Sequence, residues 1–132
     1  VKAEDTEGGE GAERVVRAKF SGPYSELTAP VISCALRVHK ALGLGFVESV
    51  YENALAFELE DDGIPYERQK QIKVIYRGRE VGLHRLDLFV RDKVIVELEA
   101  KEAFCEADIA MVLSYLRATG APVALMLNFG TP

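Results

Sequence analysis

Apolar positions recur along the chain in two rhythms, one helical and one of strands. Val31, Ala35, Val38 and Leu42 follow at steps of three or four, the spacing of one helical face. Ser25 and Thr28 offer side-chain caps for that helix and Pro30 suits its first turn, while Gly43-Leu44-Gly45 stops the run. A second helix is predicted from about Val47 to Asp61. It carries Val50, Ala54 and Phe57 on one stripe and Tyr51, Leu55 and Leu59 on the next. Gly63 ends it and Pro65 prevents a restart. QIKVIY (71–76) alternates and is β-branched, so it reads as a strand, with Arg77-Gly78 as the turn after it. Strand-like segments follow around 83–90 and 94–100, joined by the turn Arg91-Asp92-Lys93. A third helix is expected from about Glu106 to Ala118, burying Ile109, Val112, Leu113 and Leu116. VALMLNF (123–129) is then a buried last strand.

The hairpins require antiparallel neighbours, whereas the helix between the third and fourth strands requires a parallel pair. The pattern therefore predicts an α/β fold: a mixed four-stranded sheet flanked by helices. Residues 1–13 hold five acids, one base and three glycines, which predicts a flexible tail. The expected division is an acidic, glycine-rich N-terminal extension over 1–20 and a single domain over 21–132.

Composition narrows the functional classes. The chain has 132 residues, 48% hydrophobic, enough for one domain with a proper core. No apolar run approaches the ~18 residues of a membrane span, and VKAEDTEGGE is not the basic-then-apolar opening of a signal peptide. Cys34 and Cys105 are far apart, without metal-type spacing, and read as reduced thiols. A cytoplasmic location follows as the expectation, with no membrane partner and no small organic cofactor. The net charge of −5 gives no overall basic balance for gripping nucleic acid, so a basic face must come from clustering. Arg68, Lys70, Lys73, Arg77 and Arg79 are the best candidates; a solvated, charged hairpin is the plainer alternative.

Chemistry concentrates in RLDLFVRDKVIVELEAK (85–101), where Glu97, Glu99 and Lys101 occupy alternate positions of an apolar run. A strand projects these to one face. Two carboxylates there repel by roughly 4 kcal/mol at ~4 Å with an effective dielectric of about 20. On the preceding strand Arg85, Asp87 and Phe89 share a face, opposite Leu86, Leu88 and Val90, so Asp87 is expected beside Glu97 and Glu99. A hard divalent cation, Mg²⁺ or Mn²⁺, takes one or two such carboxylates plus water and would remove the repulsion. The alternative is a solvated acidic face paired with Lys101 and Arg85.

GFVESVY (45–51) matches a Gly-x-x-Glu-x-x-Tyr signature through Gly45, Glu48 and Tyr51. With VHKALGLGFVESVYENAL, RLDLFV, VIVELEA, YLRATG and LNFG in order across about 30–130, the chain resembles the GxxExxY family, a small branch of the PD-(D/E)xK nucleases. The resemblance implies a PD-(D/E)xK-like core and metal-dependent cleavage of phosphodiester bonds in DNA or RNA. It implies Asp87 and Glu97 as metal ligands, with Glu48 as a further carboxylate from the preceding helix; a dipole-favoured helix N-terminal acid is the plain reading of Glu48. Tyr51 and Tyr115 match family positions yet suit core aromatics, and His39 suits a packing or capping role. Arg117 suits either a phosphate contact or a structural ion pair. Lys73, Arg77 and Arg79 would steer the phosphate backbone.

The sequence departs from that pattern in two motif elements. Glu99 stands where the motif lysine is usual, and Met111 where a glutamine usually precedes the tyrosine by four residues. Loss of one such preorganised electrostatic group commonly costs ~3–4 kcal/mol in barrier. Glu99 would serve as an extra ligand or base, or Lys101 would supply the cation from one pleat further along, though ~6.6 Å away. Otherwise the site is degenerate. The first functional expectation is a divalent-metal-dependent nuclease. The alternative is an inactive protein of the same fold that self-assembles into a homo-oligomer or binds a protein partner through the outer helices and final strand.

Overall fold

The computed structural model describes residues 24–130; the 1–20 extension lies outside them. Its elements are α1 (Ser25–Leu42), α2 (Glu48–Asp61), β1 (Tyr66–Tyr76), β2 (Arg79–Val90), β3 (Val94–Glu99), α3 (Glu106–Thr119) and β4 (Val123–Asn128). The sheet runs in the order β1-β2-β3-β4, with antiparallel β1–β2 and β2–β3 pairs. The β3–β4 pair is parallel because α3 carries the chain back across the sheet. This is the mixed four-stranded α/β sheet that the pattern predicts. No helix among the described residues is long and apolar enough to cross a membrane.

The two sheet faces have separate cores. Val31, Ala35, Val38, Tyr51, Leu55 and Leu59 of α1 and α2 close over Leu88, Val90, Val94, Val96 and Leu98. On the other face Val112 and Tyr115 of α3 meet Ile72, Leu86, Phe89, Ile95, Ala124 and Met126. At ~25 cal/mol per Å² of apolar area removed from water, these layers are the main stabilising contribution.

Several expectations need correction. Ser25 begins α1 and provides no cap; Tyr24 precedes it without a side-chain cap bond, and the Thr28 hydroxyl donates back to Tyr24 O at 3.4 Å. Pro30 lies inside α1. On α2 the buried stripe is Tyr51, Leu55 and Leu59, whereas Phe57 is 68% exposed, because α1 and the sheet cover only one side. On α3 Val112 and Tyr115 are buried while Ile109 and Leu113 are left exposed. A lone helix on a sheet face buries one narrow stripe. The first hairpin is also longer than expected. β1 begins at Tyr66 and β2 at Arg79, since polar residues continue the pairing beyond the apolar core.

Tyr51 ties α1, α2 and β4 together. Its ring is fully buried and stacks on Phe129 at 4.4 Å between centroids. Its hydroxyl donates to Gly43 O at 2.6 Å and accepts from Phe46 N at 3.3 Å, pinning the loop that enters α2. His39 packs edge-on against the same Phe129 ring. The Gly-x-x-Glu-x-x-Tyr tyrosine thus fixes the approach of α2 to the sheet. Tyr51→Phe keeps the ring but leaves the Gly43 carbonyl and Phe46 amide without it. Urea unfolding is expected to show a loss of about 1–2 kcal/mol, and an unchanged midpoint would contradict this role.

Candidate active site

β2 and β3 pair only through Leu88↔Val96, Phe89↔Ile95 and Val90↔Val94. At the next position the ladder opens, and carboxylates take the place of carbonyls. Asp87 N donates to Glu97 Oε2 at 2.7 Å, and Leu98 N donates to Asp87 Oδ2 at 2.8 Å. Each strand's acid therefore closes an amide that the fork leaves open on the other strand. β3 stays joined to β4 as far as Glu99↔Asn128, so only β2 diverges.

The fork continues into β1. The β1–β2 register keeps Arg68↔Leu88 and Lys70↔Leu86 but skips Gln69 and Asp87. Gln69 has φ 52°, a left-handed conformation that is strained for a residue with a Cβ. Its side-chain amide donates to Glu52 Oε1 at 3.1 Å, which helps hold that conformation. The distortion breaks the alternation expected of β2. Leu86 joins Phe89 in the core beneath α3, while Leu88 and Val90 pack beneath α1 and α2. The expectation that Leu86 shares a face with Leu88 and Val90 is therefore overturned.

Burial and like charge make this an electrostatically costly place. Burial, then the Asp87 charge, push the Glu97 carboxyl up to about 8. Asp87 is also raised, first by burial and then by the charges of Glu52 and Glu48, against the lowering effect of the Leu98 amide. Glu99 is raised by burial and by Glu48, with Lys101 opposing. Tyr115 of α3 is raised by burial and by the charges of Glu97 and Asp87, which locates its phenol within reach of the pair's field. His84 of β2 lies against the Tyr115 ring at 5.2 Å between centroids.

The structure brings Asp87 and Glu97 directly together. Glu48 is the exposed first residue of α2 and acts on Asp87 and Glu99 through charge. One helical turn on, Glu52 is buried and was not singled out in the sequence; its i+4 spacing from Glu48 was the available signal. Arg68 holds Glu52 through Nε at 3.0 Å and a second nitrogen at 2.8 Å. Lys101 lies beyond the end of β3, where its Nζ is 2.8 Å from Asp108 Oδ1 and its amide donates to Asn128 Oδ1. Asp108 also accepts from Cys105 N, so Lys101 is drawn to the capping box that starts α3.

The basic candidates gather elsewhere. Lys73 and Arg117 line one groove of about 410 Å³ between β1 and α3. Arg77 and Arg79 line another, of about 500 Å³, at the hairpin tip with Tyr76 and Val81. Arg117 makes no ion pair among the described residues.

A model of the PD-(D/E)XK nuclease superfamily matches residues 25–132. The chain belongs to that superfamily. No curated protein and no solved structure matches it. PD-(D/E)XK nucleases generally use divalent metals. Among the described residues no three His, Cys, Asp or Glu side chains are gathered to hold a metal ion. Mg²⁺ does not need such a cage, because it commonly takes one or two carboxylates and retains water. The paired acids at the fork have the hard oxygen donors that suit it, and their crowding is relieved by either a proton or a cation; Asp87 and Glu97 would hold it.

The raised Glu97 carboxyl gives a prediction with a definite sign. An acid whose folded-state pKa lies above its unfolded value favours the fold when protonated. That contribution is complete below the ordinary value of 4.5 and is lost as pH rises through about 8. Metal-free protein should lose stability on the order of a few kcal/mol across that window. Thermal melts of wild type and Glu97→Gln from acid to mildly alkaline pH test this. The wild-type Tm should fall relative to the variant, and Mg²⁺ should reduce the fall; parallel curves would contradict the shift.

Proposed function

We propose that the chain is a divalent-metal-dependent nuclease of the GxxExxY kind, using Asp87 and Glu97 as its metal carboxylates. The observation that carries this reading is the fork, where buried Glu97 and half-buried Asp87 from adjacent strands meet through reciprocal amide bonds. When bound, Mg²⁺ or Mn²⁺ supplies Lewis acidity and neutralises phosphate charge. Glu99 is the proposed base. Burial and Glu48 raise its carboxyl, and a more basic carboxylate accepts a proton from an attacking water more readily near neutral pH. The water oxygen bonds to phosphorus, its proton passes to Glu99, and the phosphorus–oxygen bond to the leaving group breaks. That departing oxygen takes a proton from solvent. Lys73, Arg77, Arg79 and Arg117, which line the grooves of the hairpin and α3, steer the phosphate backbone.

A second reading is supported by the cations near the acids. Glu99 occupies the motif lysine position, and Lys101 is engaged by Asp108. A protein with this fold but no cleavage would act by self-association or by binding a protein partner, using exposed Phe57, Ile109 and Leu113. Cleavage of plasmid and single-stranded DNA with Mg²⁺ or Mn²⁺ decides between them. Activity in wild type, lost in Asp87→Ala, is expected. Glu99→Gln should lower the rate by about 10² or more, as loss of a positioned general base does. No cleavage by wild type would favour the assembling protein.

A further inference from the structure

The β1–β2 hairpin reverses the character of the chain. Residues 70–85 hold Lys70, Lys73, Arg77, Arg79 and Arg85 against one acid, Glu80, in a protein of net charge −5. Lys70 is paired with Glu67, and Lys73 is 3.8 Å from Glu80. Arg77 and Arg79 make no ion pair among the described residues. The same hairpin exposes apolar surface: Tyr76 and Val81 are each 60% exposed, Ile75 56% and Leu83 52%. Tyr76 and Arg79 are cross-strand partners. The Arg77 guanidinium lies over the Tyr76 ring at 5.4 Å from its centroid, and most of the tyrosine is open to a stacking base.

This combination selects among occupants. A second copy would bring an equally cationic hairpin against the first, and like charges facing each other oppose such an interface. Duplex nucleic acid would use the cations but keeps its base faces stacked inside the helix. A single strand satisfies both features, because phosphates pair with the arginines and an unstacked base covers the aromatic face. The hairpin also leads to the acids. β2 runs eight residues from Arg79 to Asp87, ~26 Å at ~3.3 Å per residue. The Lys73–Arg117 groove lies beside α3, where Tyr115 follows Ser114 of the groove wall.

We infer that the β1–β2 hairpin is a track for single-stranded nucleic acid, with Tyr76 as a base-stacking anchor and Arg79, Lys73 and Arg117 as phosphate contacts. This deepens the nuclease reading by naming its substrate class, and rests on that reading for the direction of the track.

Fluorescence anisotropy with the full chain in EDTA separates binding from cleavage. Labelled oligothymidylate is compared with a mixed-sequence duplex of equal length. The single strand should bind about tenfold or more tightly than the duplex. Tyr76→Ala should weaken single-strand binding roughly 5- to 100-fold, and Tyr76→Phe by about twofold at most. Arg79→Ala should weaken it and reduce the slope of log affinity against log salt by about 0.7. Equal or tighter duplex binding, or no loss in Tyr76→Ala, would overturn the inference. So would no binding to either oligonucleotide. Sedimentation velocity and flotation with phosphatidylserine vesicles test two other occupants: a dimer or vesicle binding lost in Tyr76→Ala, without oligonucleotide binding, would also overturn it. Binding without cleavage would count against the nuclease reading alone, whereas cleavage without selective single-strand binding would count against this inference alone.

Discussion

The central constraint is the exchange of amide bonds across the fork. A continuous antiparallel ladder satisfies its amides with carbonyls, but β2 and β3 separate after Leu88↔Val96. A buried amide left without an acceptor costs about 1–3 kcal/mol. Glu97 accepts from Asp87 N, and Asp87 accepts from Leu98 N. The solution has its own electrostatic cost, because it holds two acids side by side where water is scarce. Burial and mutual charge push Glu97 up to about 8. The geometry that closes the strand ends thus also creates a demand for a proton or a cation.

Neighbouring elements increase that demand. α2 contributes the charges of Glu48 and Glu52, and β3 adds Glu99. Two neighbouring cations have other tasks. Arg68 holds Glu52 and leaves Gln69 in place opposite Asp87, while Lys101 binds Asp108 at the start of α3. With glutamate at position 99, the acids have no lysine of their own on β3 beside them. The positive charge is displaced to the hairpin and the α3 groove, where it can meet a polyanion instead of quenching the site.

Element order was legible because the apolar periods were clear: Val31, Ala35 and Val38 pack as one face, and VALMLN forms a buried parallel strand. The acids were legible because Glu97 and Glu99 interrupt an apolar strand. The fork was not, since alternation assumes an unbroken ladder and therefore put Leu86 on the wrong face. Gln69 carries no sequence mark of its left-handed backbone. The partner of Lys101 was hidden for a different reason: its ion pair depends on how α3 docks, which spacing along β3 cannot show. Exposed Ile109 and Leu113 likewise reflect the single-sided cover of α3.

Calorimetric titration of Mg²⁺ or Mn²⁺ into wild type and Asp87→Asn, in buffers of different ionisation enthalpy near neutral pH, tests the fork most directly. A cation that settles between Asp87 and Glu97 must displace the proton held by Glu97. The account predicts binding to wild type with release of roughly one proton near neutral pH, and loss of that binding in Asp87→Asn. Absence of binding to wild type, or binding unaffected by the substitution, would contradict the account.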